Sequence, residues 1–229
     1  MRTSRVQRRY LARRLEILRA AGREFRTRGF AETGMREIAS AADLSPANLY
    51  NYFRGKDEIL FFCQDSALNR LNTNMEKIRR GKMCVGDKLR AVITFHLRCV
   101  LDEVEGSAAH LLTNSIPRTL QRRLLAKRDR YEQGLRQAIA AGIRSGEFVA
   151  TDPALATRAI LGALNSTVLW FNPQGPLSAD SVAEPFADYL IRGLRSAASS
   201  TGSSRGERTL RKQATTSHRK AVSKGGRRW

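Results

Sequence analysis

The sequence predicts an all-α protein of about nine helices: a small N-terminal three-helix unit, a larger helical region and a basic tail. Three observations predict it. Between Thr33 and Leu60, two short apolar stripes at helical spacing flank a tight turn at Asp43. A capping residue followed by proline, the start signal of a helix, occurs at Ser45-Pro46 and again at Asp152-Pro153. From Leu89 to Leu194, apolar residues keep recurring three and four positions apart.

The first helix is expected from about Val6 to Arg28, with Tyr10, Leu11, Leu15, Leu18, Ala21 and Phe25 on one apolar side and the arginines on the other. Ile38, Ala39 and Ala42 define the inward stripe of a short second helix, which leaves Arg36 and Glu37 in solvent. Glu37 stands three residues past Gly34, where its side chain can reach back to an orphan N–H. Asp43 should stop this helix, because its side chain competes for hydrogen bonds and it tolerates a left-handed backbone.

Ser45 and Pro46 begin the next helix, expected to run to Phe53. It spends Leu49 and Phe53 on burial and turns Ala47, Asn48, Tyr50, Asn51 and Tyr52 outward. Two short helices at a tight turn, with small, amide and phenol groups on the outer face, make the helix-turn-helix shape that fits a DNA major groove. Gly55 and Lys56 close it, and Asp57 and Glu58 open a fourth helix at the positive end of its dipole.

That fourth helix should extend to about Arg80, and the Gly81–Gly86 stretch breaks it. Leu89, Val92, Ile93, His96, Leu97, Val100 and Val104 form the stripe of a fifth, and Ser107 caps a short sixth. Pro117 opens a long seventh helix bearing Leu120, Leu124, Tyr131, Leu135, Ala138 and Gly142, which ends near Gly146. The eighth, from Pro153 to about Phe171, is nearly chargeless: between Pro153 and Ala179, Arg158 is the single charge. Such a helix has no ordinary solvated face and must be covered on two sides. Its small residues Ala159, Gly162, Ala163 and Ser166 let another helix come close. With a ninth helix, from Ala179 to about Arg195, carrying Val182, Phe186, Tyr189, Leu190 and Leu194, it should form a homodimer as a four-helix bundle. The expected domains are 1–60, 61–195 and a disordered basic tail at 196–229.

Charge points to a polyanionic partner. The 229 residues carry a formal net charge of +20, with a pI of about 11.1. Residues 1–28 hold +8, residues 196–229 another +8, and the 167 residues between them +4. The chain therefore reads as an ordinary folded protein with two basic arms. For the C-terminal arm, DNA-phosphate contact and simple solubilisation both remain open. Cys63, Cys84 and Cys99 lack the paired spacing of a metal or redox centre, which suits a reducing cytoplasm. No apolar h-region follows the basic N-terminus and no run is apolar enough for a bilayer, so the protein is expected in the cytoplasm without a membrane partner. No nucleophile–base pair, metal spacing or glycine-rich phosphate loop is visible, which argues against an enzyme and against a bound cofactor.

The run Ile38-Ala39, Ala42, Leu44-Ser45, Leu49-Tyr50, Tyr52-Phe53, Lys56-Asp57 and Leu60, with Gly29-Phe30 upstream, resembles the N-terminal domain of TetR-type transcriptional regulators. Two positions depart from the pattern: Gly34 stands where the family usually has Thr or Ser, and Asp43 where it usually has Gly. The resemblance is specific over the first 60 residues and architectural from 61 to 195. It implies a TetR-like fold and a homodimeric, ligand-responsive repressor on a palindromic double-stranded DNA operator. Ala47, Asn48, Tyr50, Asn51 and Tyr52 would approach bases or phosphates, and Thr33, Arg36, Ser45 and Lys56 would mostly hold the DNA backbone, with Arg2, Arg5, Arg8 and Arg9 beside it. The alternative is an architectural protein that coats DNA and senses nothing.

The segment Leu161–Pro173 further resembles a TetR branch that answers to acyl-CoA thioesters, so the implied effector is a small apolar or acyl-CoA-type molecule. His96, Tyr131, Asn165 and Trp170 are the candidate ligand contacts. His96 also reads as a buried hydrogen-bonded core residue, and Trp170 as core or dimer packing. Basic residues among Arg118, Arg122, Arg123, Lys127 and Arg128 could meet CoA phosphates or form a solvated face.

Overall fold

The computed structural model describes residues 4–101 and 116–195. Among them are eight helices: α1 (Arg5–Arg28), α2 (Met35–Ala41), α3 (Pro46–Tyr50), α4 (Lys56–Arg80), α5 (Val85–Leu101), α6 (Arg118–Arg144), α7 (Pro153–Trp170) and α8 (Ala179–Leu194). The short helix expected behind Ser107, the expected core residue Val104, Arg2 and the tail from residue 196 lie outside the described residues.

Starts and stops follow the capping chemistry in the sequence. Ser4 Oγ accepts from Gln7 N at 3.2 Å, so α1 begins a residue earlier than the apolar pattern suggested. Asp152 Oδ1 caps α7 at Ala154 N, and Ser178 Oγ caps α8 at Ser181 N. The cap of α5 comes from far away: Glu147 Oε1 and Oε2 accept from Val85 N at 3.2 Å and Gly86 N at 2.8 Å. A carboxylate at the positive helix end is stabilising there.

Two cores share α4. Its first half sends Ile59, Leu60, Phe61 and Cys63 into a cluster with Ile17, Phe25, Ile38, Leu49 and Phe53, which Leu124 of α6 also joins. Its second half sends Leu71 and Met75 into a cluster with Leu89, Ile93, Leu97, Leu135, Ile160, Leu164 and Ile191. Each large side chain so buried stabilises the fold by about 1.5–3 kcal/mol before entropy is counted. The apolar side expected for α1 is only half used. Leu18, Ala21 and Phe25 are buried, but Tyr10, Leu11 and Leu15 stay 41–49% exposed, because α2 and α4 cover the later turns of the helix.

An ion-pair ladder ties α5 to α8. Arg90 meets Asp188 at 2.8 Å and Glu184 at 2.7 Å, and Arg98 meets Asp180 at 2.7 Å and Glu184 at 3.2 Å. The hydrogen bond from Arg90 holds the Asp188 carboxyl below the usual carboxylate range. A carboxyl depressed in the folded state adds stability above its unfolded pKa, near 3.9, and loses it as the pH falls through the folded value. Because the pair is partly exposed, its worth is of the order of 0.2–1 kcal/mol. Asp188→Asn should cost that much at pH 7, and the cost should fade as the pH falls through the folded value, which thermal melts across the range would read. Equal melting temperatures at pH 7 would show that the ladder is energetically silent.

Candidate nucleic-acid interface and buried cavity

The reader unit is α2, a tight turn and α3, set on α1. Gly34 N donates to Glu37 Oε2 at 3.0 Å, closing the helix start without a side chain at Gly34. Backbone hydrogen bonds hold the Glu37 carboxyl below its usual range. Asp43 takes φ 51°, the left-handed region that costs a residue with a Cβ more than glycine. Arg13 of α1 grips this turn, donating to Ala42 O at 2.9 Å and Asp43 O at 3.3 Å while Glu16 holds its other nitrogen at 2.6 Å. Ser45 Oγ then accepts from Asn48 N at 3.2 Å and starts α3. Leu49 and Phe53 are the buried anchors, and the Arg14 guanidinium lies over the Phe53 and Phe62 rings at 4.5 and 4.2 Å.

α3 is shorter than the expected Pro46–Phe53. It ends at Tyr50, and a turn closed by Tyr52 N and Phe53 N on Leu49 O carries the chain into α4. Ala47, Asn48, Tyr50 and Asn51 are exposed on one surface, Arg36 beside them, and Arg5, Arg8 and Arg9 along the start of α1.

Three expected DNA contacts are placed otherwise. Thr33 is fully buried, its Oγ1 donating to Gly29 O at 2.8 Å and Glu24 O at 3.3 Å. Lys56 turns inward over the Phe30 ring and donates to Phe30 O, Ala31 O and Thr33 O at 2.9–3.1 Å. An ammonium has three N–H donors, and all of these go to the loop between α1 and α2. Tyr52 is half-buried and stacks on Tyr10 at 5.2 Å between centroids. These residues brace the reader.

The larger region holds a partly open cavity of about 290 Å³ between α4, α5, α6 and α7. His96, Tyr131 and Asn165 meet in its wall: His96 Nδ1 lies 3.1 Å from the Tyr131 hydroxyl and Nε2 lies 3.3 Å from Asn165 Oδ1. A carbonyl oxygen only accepts, so Nε2 donates to Asn165 Oδ1, while Nδ1 shares a hydrogen bond with the Tyr131 hydroxyl. Burial pushes the Tyr131 phenol above its ordinary pKa, which keeps it a donor. Gln64, Arg128 and Glu132 complete the polar wall, with Arg128 Nη2 donating to Gln64 Oε1 at 3.1 Å.

Trp170 is not in this wall. It is half exposed, its ring 6.4 Å from Phe186, and it edges an open groove with Arg23 and Arg26 of α1. Of the five basic candidates on α6, Arg128 lines the cavity. Lys127 pairs with Asp65, Arg123 lies over Phe61 at 5.2 Å, and Arg118 and Arg122 face solvent. Among the described residues no group of three or more His, Cys, Asp or Glu could hold a metal, and no helix is long and apolar enough to cross a membrane.

On the far side, α7 and α8 expose an apolar face. Leu155, Leu169 and Tyr189 are 63%, 86% and 68% exposed, and Ala159, Gly162 and Ser166 lie between them. A Cβ added at Gly162 or Gly193 would meet nothing within 4 Å. Val182 and Leu194, expected on this face, are buried in the chain's own clusters instead.

Residues 17–61 match the model of bacterial regulatory proteins of the tetR family, and residues 84–194 that of the tetracyclin repressor-like C-terminal domain. The TetR family transcriptional regulator PfmR from Thermus thermophilus is 32% identical, with a TM-score of 0.71 over 79% of this chain and 99% of that one. The chain belongs to the TetR family. The HTH-type transcriptional repressor KstR2 of Rhodococcus jostii (strain RHA1) is 24% identical over 189 residues, 80% of this chain and 92% of that protein. AibR, solved in complex with isovaleryl coenzyme A and operator DNA, shares the fold at 22% identity, with a TM-score of 0.66 over 80% of this chain and 98% of that one.

As a TetR-family protein the chain is a DNA-binding transcriptional regulator and not an enzyme. Sequence reasoning missed Arg13, whose grip on the turn answers the family departure at Asp43. It also missed Gln64 as a cavity residue. The signal for Gln64 was present: a glutamine on the apolar stripe of α4, between Phe61 and Leu68.

Proposed function

We propose that this regulator is a homodimeric repressor that occupies a palindromic operator and is released by a small apolar or acyl-CoA-type ligand. The observation that carries the reading is the cavity beside the His96–Tyr131–Asn165 chain, walled in part by α4, whose first turns also build the core under the reader. A ligand that binds better when α4 sits differently shifts the reader by its differential affinity. The named functions of KstR2 and the molecules bound to AibR agree with this scheme.

In this reading Asn48, Ala47, Tyr50 and Asn51 meet base edges, and Arg36, Ser45, Arg5, Arg8 and Arg9 meet phosphates. The exposed α7–α8 face pairs two subunits, so that their α3 helices address half-sites about 34–36 Å apart or a multiple of that. Trp170 serves at the groove by α1, where Arg23 and Arg26 suit an anionic part of the ligand. The protein acts where the DNA is, in the cytoplasm.

Footprinting on the DNA upstream of its own and neighbouring genes, with acyl-CoA thioesters and hydrophobic acids added in turn, tests the proposal. A discrete palindromic footprint that one of these ligands removes is expected. Uniform coverage would favour an architectural DNA coat, and a discrete footprint insensitive to every ligand would remove the effector half.

A further inference from the structure

A second, more apolar slot of about 210 Å³ lies beyond the effector cavity. The two openings share the same three helix faces. On α4, Gln64, Leu68 and Leu71 line the cavity, and Met75 and Ile78 continue the row into the slot. On α5 the row runs the other way, from Val100 and His96 to Val92 and Val85. On α6 it passes from Arg128 and Tyr131 to Gly134, Ala138 and Ala141. Residues three and four apart occupy one helix face, so cavity and slot are two stretches of a single seam.

What stands at their junction is Met75, 7% exposed, lying against Gly134. A Cβ added at Gly134 would come within 3.2 Å of Met75 Cγ and 3.4 Å of Cε. Methionine is unbranched, with several rotatable bonds, and re-packs at little cost. The bare backbone opposite leaves a chain room to pass. Polarity is graded along the seam. Gln64, His96, Arg128, Tyr131, Glu132 and Asn165 cluster at the cavity end, while the slot wall is mainly apolar, with Arg79, Lys88 and Gln137 as its polar members.

We infer that cavity and slot form one tunnel gated by Met75, and that it takes an elongated amphiphile. The polar head rests on Arg128 and the Tyr131–His96–Asn165 chain, and an unbranched aliphatic tail displaces Met75 and runs past Gly134 toward Ala141. From Gln64 to Ile78 the seam is about 21 Å long at about 1.5 Å per residue. The cavity alone is at the lower edge of the range of roughly 300–1,000 Å³ found for small-molecule sites, and only the joined tunnel falls well inside it. The inference rests on the effector reading above in assigning the tunnel to the regulatory ligand.

Calorimetry on the full chain without DNA, using straight-chain acyl-CoA thioesters from butyryl to palmitoyl and the matching free carboxylates, measures the tunnel directly. Affinity should climb by about fourfold per added methylene, and should keep climbing beyond octanoyl. Ala141→Leu, at the far end of the slot, should cut palmitoyl or palmitate affinity roughly tenfold or more and leave the butyryl probes unchanged. Met75→Ala should favour the long chains, and the melting temperature of each variant reports whether it has folded. A plateau at octanoyl, equal losses for short and long chains in Ala141→Leu, or no chain binding at all would overturn the tunnel. Long chains that bind in this pattern yet leave the operator complex intact would overturn the effector reading and not the tunnel. Operator release with no dependence on chain length would do the reverse.

Discussion

Asn48→Ala should weaken operator binding by roughly 1–3 kcal/mol for each half-site, and so by roughly 2–6 kcal/mol for a dimer that uses both. The residue sits on the exposed surface of α3, one turn from the Ser45 cap. Its backbone N–H is spent on Ser45 Oγ at 3.2 Å, which leaves the side-chain amide of this exposed residue as the group available to DNA. An amide carries a donor and an acceptor side by side, which is the pattern that reads an adenine edge in the major groove. Removing it should relax sequence choice.

Arg36→Ala or Arg8→Ala should behave differently, weakening operator and scrambled duplex alike and flattening the salt dependence by about one phosphate's worth per half-site, about two for the dimer. Fluorescence anisotropy with both duplexes at several salt concentrations separates the two classes. The Asn48 side chain is exposed, so truncating it should leave folding stability within about 0.5 kcal/mol of the parent. An Asn48→Ala protein that discriminates the two duplexes as well as the parent would take α3 out of the role of reader.

Gly142→Ala should destabilise the larger region by roughly 1–3 kcal/mol, although alanine is the better helix former. Gly142 is in the last turns of α6, and a Cβ there would lie 2.1 Å from Phe148 Cδ2 and 2.3 Å from Cε2. The ring has little freedom to yield. Phe148 is 3% exposed, its N–H donates to Gly142 O at 3.0 Å, and the next residue is tied to α8 by Val149 N on Leu194 O at 2.8 Å. To admit a methyl group, the segment must part from α6 or from α8. At about 2–4 °C per kcal/mol for a chain of this size, the melting temperature should fall by roughly 2–12 °C. Phe148→Ala alone should cost about 3–5 kcal/mol by leaving a cavity. Because the added methyl fills part of that space, the double variant should cost less than the two single ones together, which a double-mutant cycle would show. Strict additivity would mean that Gly142 and Phe148 do not share the space assigned to them.

How legible each element was depended on where its partners lay in the chain. Helix starts at Ser45-Pro46 and Asp152-Pro153 could be read because cap and N–H are two or three residues apart. The start of α5 could not, because its cap, Glu147, is 61 and 62 positions away. The same distinction runs through the site. His96, Tyr131 and Asn165 were each singled out, but their meeting in one wall spans separations of 35 and 69 residues, and it left Trp170 outside. Lys56 belongs to the matching family run and Thr33 stands next to its departure at Gly34, and both were expected at the DNA backbone. Their polar atoms nevertheless go to the loop before α2, a partner that motif spacing does not reveal.

Periodicity, caps and turn residues lie within a few positions of one another, so local order along the chain was enough to dictate most of the helices, the tight turn at Asp43 and the exposure of Ala47, Asn48, Tyr50 and Asn51. Which polar groups turn inward, where α4 passes from one core to the other, and how cavity and slot align depended on contacts between segments dozens of residues apart. Those were settled when the helices packed, because a side chain's environment is set by what arrives from elsewhere in the chain, and its own neighbours in sequence carry no record of that arrival.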